Sequence, residues 1–450
     1  MNLRGKLPIP GSYNLTSLEL ISDFFPTLGL QLGELVAEVN LYESIFDDCS
    51  SGSIVLTDSR NILAKLPVVG YETLKITYSL DWEGDGIVPE SRMESVTREY
   101  RVQSITNYNK GLPTSATYIL NFISKEHFDN LTTKVSKGYR STSISNIANL
   151  VYLELKSLKR FSVDPTIAPH DLVIPNWNPF TALNWLANRA KSGAYLGANY
   201  KFFENSDGYN FASLEGLYEK ASNPIYSVDT YTQLPRDAVL TPEDRGASFK
   251  DILEISFDDI LDVSDNISSG MYASKIIEHD IVKREFQVKE FNYNNTFFLY
   301  NHLNSGNTGL DHSRADLSLG GSYTNKSDSR INYVPKHYKK HNNFHSYGDN
   351  IEDTFQIRNS QFSQLDNFRV TFVVAGDSTK TVGDVVKLRI VSPEPMQSSP
   401  RTIWDPIYSG NYLVVGLKHM IDPEKFTTTM TAVKDTYENP ITNSTLRLEV

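Results

Sequence analysis

His337, His341 and His345 recur at every fourth position, a spacing that on a helix would stack three imidazoles on one face and offer a ligand set for zinc or iron. Asn342 and Asn343, between the last two, are poor helix formers, and no acidic fourth ligand stands at helical spacing. The spacing alone therefore does not specify a metal. The same stretch holds Arg330, Lys336, Lys339 and Lys340. Pooled with the histidines they make a local basic patch on an acidic chain, suited to an acidic partner surface. A solvated loop accounts for the same residues equally well.

Other candidates for chemistry are weaker. Asp47-Asp48, the Asp81, Glu83 and Asp85 cluster, and Asp258-Asp259 supply acid pairs, but no His or Ser beside them defines general acid and base roles. Gly376-Asp377 and Gly383-Asp384 flank a polar turn and match no phosphate-cradling loop. There is no Walker loop, no Gly-x-Ser-x-Gly and no His-Glu-x-x-His. The lone cysteine, Cys49, excludes an internal disulfide and a cysteine-built zinc site, and reads as a small loop residue rather than a nucleophile. The expectation is a protein that is not an enzyme and takes no cofactor.

The elements that would carry these residues are mostly strands. The 450 residues suffice for two to four domains, and 25 Tyr with 22 Phe favour strands and large contact surfaces. A net charge of −11 opposes general binding to nucleic acid, yet it suits a surface that DNA passes without sticking. The N-terminus has two early basic residues, Arg4 and Lys6, with no apolar run behind them, and no stretch reaches membrane-helix length. Residence in a reducing cytoplasm, or exit by a route other than secretion, is expected, and Asn14-Leu15-Thr16 is then an idle glycosylation acceptor.

Residues 1–30 read as an arm with turns at Pro8, Pro10-Gly11 and Pro26. Alternation from Leu35 predicts a meander or small barrel over 31–128. Helical spacing then replaces it. Ile144, Ile147, Val151, Leu155 and Leu158 predict one helix behind a Ser141-Thr142-Ser143 cap; Phe180, Leu183, Leu186 and Ala190 predict another, with Asn178 as N-cap, Pro179 at N1 and Gly193 as its stop. Tyr200–Glu204 and Tyr209–Leu214 around Asn205-Ser206-Asp207-Gly208 read as a hairpin, completing an α+β domain over 129–222. Residues 223–300 are expected to cross between domains and enter a second β domain, with a helix at 258–267; 301–365 read as a loop-rich insertion, 366–437 as the rest of the second β domain, and 438–450 as a tail. The fold class is α+β, mainly β.

One strand pattern occurs twice. Leu74–Thr77, Tyr100–Ile105 and Tyr118–Phe122 are matched by Leu388–Ile390, Tyr412–Leu417 and Thr429–Val433 at nearly equal intervals. Two similar β modules in one chain let a threefold assembly present a nearly sixfold ring. That points to an adaptor.

These segments resemble the central baseplate hub protein of contractile-tailed, T-even-type bacteriophages. The resemblance rests on Leu41–Phe46, Asp58–Leu63 and Leu66–Glu72, on Pro179–Leu186 with Gly208–Glu215, on Ser269–Ala273, and on Gly410–His419, in that order. It implies a homotrimer in the virion tail baseplate, assembled in the host cytoplasm and not inserted in a membrane. Its two tube-type barrel or sandwich domains per chain would mimic the sixfold tail tube, stack on the tube protein ring and receive a trimeric central spike. Baseplate wedge and tape measure proteins would be neighbours, and genomic DNA would pass through unbound. Arg330, Lys336, Lys339 and Lys340, and Tyr412, Leu413 and Val414 in the last hairpin, are the expected partner-interface residues. The competing class is a carbohydrate-binding or cell-wall-degrading tail component.

Overall fold

A computed structural model of the chain describes residues 13–22, 25–65, 68, 70, 72–80, 95–112, 115–167, 169–223, 228–233, 250–260, 262–281, 284–304, 326–336, 351–365, 368–392 and 404–438. The first β module comprises β1 (Tyr13–Ser22), β2 (Phe25–Gln31), β3 (Val36–Ser44), β4 (Ser51–Asp58), a single helical turn α1 (Ile62–Lys65), β5 (Thr73–Leu80), β6 (Val96–Leu112) and β7 (Ser115–Ile123). Its spatial order is β3-β4-β7-β6-β5-β1-β2. Alternation dictates the faces: Leu74, Ile76 and Tyr78 of β5 are buried while Thr73, Lys75 and Thr77 turn away, and Ile54 and Leu56 of β4 join the same core. Residues 13–22 and 25–30, expected in an arm, are strands of this sheet, because β1 pairs along its length with β5 and buries Leu18 and Leu20.

The α+β insert follows as α2 (Lys125–Thr132), β8 (Val135–Ser143), α3 (Ile144–Leu153), β9 (Phe161–Val163), β10 (Pro169–Trp177), α4 (Pro179–Ala187), β11 (Tyr200–Asn205), β12 (Gly208–Ser213) and α5 (Leu214–Ser222). Ser143 caps α3, its hydroxyl accepting from Asn146 N at 3.4 Å. Asn178 precedes α4, but its side chain donates to Asn130 O (2.6 Å) and so ties α2 to α4 instead of capping. Ile147, Val151, Leu183 and Leu186 meet the aromatic face of the β11–β12 hairpin, where the Phe202 and Tyr209 rings stack at 5.5 Å. Each such fully buried side chain contributes roughly 1.5–3 kcal/mol. Leu158 lies beyond the end of α3 and is exposed, so it belongs to no buried stripe.

The second module and its attachments are β13 (Asp229–Thr232), β14 (Ile252–Ile260), α6 (Val263–Ser269), β15 (Ala273–Asp280), β16 (Glu285–Asn292), α7 (Tyr293–Thr296), β17 (Ile331–Lys336), α8 (Ile351–Leu365), β18 (Phe368–Ala375), β19 (Val385–Arg389), β20 (Gly410–Ile421) and β21 (Phe426–Val433). Order β14-β18-β21-β20 continues into β3, so both modules share one sheet, with β19 and β13 branching from β20. Three expectations are corrected here. Asp258 to Ile260 finish a strand, and the helix begins only at Val263 behind an Asp262 N-cap. Residues 331–336 pair in parallel with β15. Residues 351–365 form a helix that lacks an apolar stripe because much of its buried side is polar: Gln356 Nε2 donates to Ser274 O (3.0 Å), Ser360 Oγ to Met271 O (2.6 Å) and Gln364 Nε2 to Asp435 O (2.8 Å). The same helix sends Arg358 into the insert, where Nη1 donates to Ala187 O (3.3 Å), Ala198 O (3.2 Å) and Tyr200 O (2.8 Å). Burial lowers its pKa to about 10, which leaves it charged at neutral pH.

Gly208 closes the β11–β12 turn at φ +128°, and a Cβ there would stand 2.4 Å from Arg160 O. Gly208→Ala should destabilise the chain by about 1–3 kcal/mol in a denaturant titration. Gly33→Ala, whose Cβ would meet nothing within 4 Å, should change the midpoint little.

Candidate functional site

The two modules meet where β3 pairs antiparallel with the second half of β20, Ser44 opposite Gly416 through Val39 opposite Ile421. A buried carboxylate locks this seam. Glu43 Oε1 accepts from Arg98 Nη1 at 2.7 Å on the first module, and Oε2 accepts from Thr381 Oγ1 (2.5 Å) and Val382 N (3.3 Å) on the second. Burial works against the charge on Arg98, but Glu43 and the nearby Tyr100 and Tyr78 outweigh it and hold the guanidinium protonated. His419, beside Leu41 across the seam, is fully buried; burial and then Arg98 push its imidazole down to about 3, so it stays neutral, with Nδ1 3.0 Å from Thr428 Oγ1.

The modules share their irregularities as well as their strand order. The β6·β7 ladder shifts between Val102 and Ser104, and the β20·β21 ladder between Val414 and Gly416. The β3·β4 ladder shifts between Val36 and Glu38, and β14·β18 between Ile252 and Glu254. Val102 N donates to Glu72 O (3.0 Å) just as Val414 N donates to Asp384 O (2.9 Å). A bulge is a specific local feature, so two coincident bulges align the modules residue by residue. Gly416 then corresponds to Ser104, Lys418 to Thr106 and Leu41 to Phe257, where the correspondence on β14 ends because that ladder shifts again between Phe257 and Ile260. The sequence match of Leu74 with Leu388 is two residues out of register; Leu74 corresponds to Val386.

This alignment exposes an asymmetry. The part of β20 that carries β3 corresponds to β6 beyond Val102, which among the described residues pairs only with β7. Strand β3 corresponds to β14, which among the described residues pairs only with β18. One seam is thus made inside the chain, and among the described residues the two strand edges of an equivalent seam are left without a partner strand. Phe257, Leu253 and Tyr108 are exposed along them. The correspondence on β6 runs as far as Thr106, because Asn107 (φ +53°) introduces a further shift.

The sheet face turned from the core is lined by hydroxyls. Thr77 and Thr97 hydrogen bond at 3.0 Å, Asn121 donates to Ser104 and Thr106 at 3.1 Å, and Thr371 meets Thr431 at 3.3 Å. Its charges are mixed, with Lys75 3.6 Å from Glu99 and Arg101, Arg369 and Lys418 on the same face. The acidic excess of the chain is not concentrated there.

Of the residues expected at a partner interface, Arg330 is exposed just before β17. His337, His341, His345, Lys339, Lys340 and the side chain of Lys336 lie outside the described residues, as do Asp81, Glu83 and Asp85. Tyr412, Leu413 and Val414 are buried in the chain's own core, so they face no partner. Their unbroken apolar run marks a strand covered on both faces and paired on both sides. Among the described residues no three His, Cys, Asp or Glu converge as a metal site. Cys49 Sγ lies 3.3 Å from Tyr209 OH, and burial and then Glu204 push its thiol up, which disfavours a thiolate. Glu43, Arg98 and the β6 and β14 edges escaped the sequence reading; the repeat itself was the signal that led to them.

No family model matches the chain. Over 411 residues, 90% of each sequence, it is 20% identical to a protein described as a probable baseplate hub protein, gp334, of Vibrio phage KVP40. Its fold is similar to that of a tail protein from Neisseria meningitidis MC58 (TM-score 0.52, 11% identity, 94% of this chain and 97% of that one). It is similar also to the 43 kDa tail protein of prophage MuSo2 from Shewanella oneidensis (TM-score 0.51, 9% identity, 94% and 99%). The resemblance to phage baseplate hub proteins therefore extends over nine-tenths of the chain, and its relatives are structural tail and baseplate proteins rather than enzymes.

Removing the Glu43 carboxylate would strand a buried guanidinium. Glu43→Ala should cost about 3–5 kcal/mol in urea unfolding. The Glu43→Leu, Arg98→Met double variant should recover most of that loss.

Proposed function

We propose that this chain is a structural hub of a phage tail baseplate that closes as a homotrimer, its six β modules forming a nearly sixfold ring between the tail tube and a threefold central spike. The observation that carries this reading is the seam made once within the chain and left open once at its two ends. Repeating the β3·β20 seam between copies pairs β6 of one chain with β14 of the next, which brings Thr106 of one copy near Asp258 of the other. Each chain then offers one acceptor edge and one donor edge, and a closed ring leaves neither exposed.

In such a ring the insert and α8 pack on the core side of the sheet, so the hydroxyl-lined face is the one turned to the central passage. DNA would slide past it on hydrogen-bonding groups with little net charge, rather than past the acidic wall expected from composition. The tail tube ring, the spike, and wedge and tape measure proteins are the partners of this reading, which places the protein in the virion baseplate after assembly in the host cytoplasm. The basic 330–345 segment is assigned to an outer contact; replacing Lys336, Lys339 and Lys340 with Glu should reduce incorporation into baseplates at least severalfold in an assembly pull-down.

Light scattering with averaged negative-stain images should give about three times the 50.8 kDa chain mass and a threefold ring with six densities. In the same preparation, Thr106→Cys with Asp258→Cys should cross-link on mild oxidation to a ladder ending at the trimer. Neither single variant should do so. A stoichiometry of six, or a monomer that never cross-links even with spike and tube partners added, would exclude the trimeric ring.

A further inference from the structure

We propose that Lys434 is a positioning residue for the open β14 edge: it fastens the 405–409 turn so that Tyr408 supports Phe257 from beneath. The role rests on the ring reading in that β14 is the edge offered to the next copy. Lys434 follows β21 and is fully buried. Its amine donates to Ile407 O and to Ser409 O (3.1 Å) and sits 4.9 Å from the ring centre of Tyr412, 5.3 Å from Phe368 and 5.8 Å from Tyr437. Two carbonyls and three rings around one amine fix it in a single place.

The ends of the turn are tied to the strand end at Ile390, where Ser409 Oγ accepts from Ile390 N (3.1 Å) and Trp404 bridges to Val391, while Lys434 holds its middle at Ile407 O. Asp405 N donates to Ile390 O (2.7 Å), and Asp405 Oδ1 accepts from Ile407 N (2.7 Å) and Tyr408 N (3.0 Å), which shapes the turn. Tyr412 OH donates to Tyr408 O (2.6 Å). The turn thereby holds the Tyr408 ring 4.6 Å from that of Phe257 on β14. Phe257 corresponds to Leu41, which lies directly across the in-chain seam from His419. In β3 that position is backed on both sides by neighbouring strands. In β14, among the described residues, it has β18 on one side and no strand on the other, so the ring of Tyr408 is the support that keeps the strand straight before a second copy arrives.

Charge does not gate the contact. Burial pushes the Lys434 amine down to about 7, opposed by Asp405, Glu438 and Asp435. Glu438 is itself held by Lys387 (2.7 Å) and Arg389 (2.9 Å), and Asp435 by His302 (2.7 Å). An ammonium has three N–H donors and a neutral amine two, and two carbonyls need serving, so the fastening holds on either side of neutrality.

The test is amide hydrogen exchange on the full chain carrying Lys434→Met, which keeps the apolar stem and removes the donors. Amides from Ile255 to Asp258 should exchange roughly tenfold faster, with those of β4 and β7 unchanged. Tyr408→Ala, which leaves the aromatic cage intact, should do the same. The Thr106→Cys, Asp258→Cys cross-linking rate should fall about tenfold in either background. It should hold in Val151→Ala, a comparable loss of stability within the insert. Unchanged exchange in β14, or acceleration spread evenly over the whole chain, overturns the positioning role. Faster β14 exchange when the Thr106→Cys, Asp258→Cys chain never cross-links even with Lys434 and Tyr408 intact supports the role of Lys434 and removes the ring closure instead.

Discussion

Backbone N–H and C=O groups at a sheet edge must be paired or left to water, and where two β modules of one chain touch, that requirement fixes how they touch. Here β3 satisfies the outer side of β20, and the side chains follow from it. Val39, Leu41 and Ile421 are buried because the strands abut, and Glu43 is carried inward on the same alternation, where Arg98, Thr381 and Val382 N receive it. A carboxylate at this depth is tolerable only with a full set of donors. The donors come from both modules, so neither can shift along the seam without leaving a charge unanswered. The register of the seam is held at this place.

Much of the fold is written locally. The alternation of Leu74-Lys75-Ile76-Thr77-Tyr78, the Asn205–Gly208 turn and the Ser143 cap each state their element within a few residues, and each reads correctly. What could not be read depends on distant partners. Asp258-Asp259 look unlike a strand because edge strands carry charge on their open side, and charge erases the apolar pattern that a strand is known by. Helix α8 looks like loop because much of its buried face is polar and bonds to the carbonyls of other elements, while Ile357, Phe362 and Leu365 pack on hydrocarbon. Tyr412, Leu413 and Val414 look like a surface for others because an apolar run does not say whether its cover comes from the same chain.

The candidate interface has the same character. The duplication was visible and the match of Tyr100–Ile105 with Tyr412–Leu417 stands in register, but Leu74 was matched two residues off and the correspondence of β3 with β14 was not seen, so the edges went unidentified. Bulges corrected it, since a bulge is defined by two ladders at once and has no signature in one strand alone. Once the modules are aligned, the open edges follow by subtraction, as the places where one module has a neighbour and the other does not.

Arg358 gives the molecule a mechanical property. Its guanidinium reaches from α8 into the insert and is gripped by the carbonyls of Ala187, Ala198 and Tyr200, which span the end of α4 and the start of β11. Bonds that share one donor atom's position yield together rather than one after another. The insert is therefore coupled through α8 to the sheet as through a strut, and moves with it instead of swinging on its linkers.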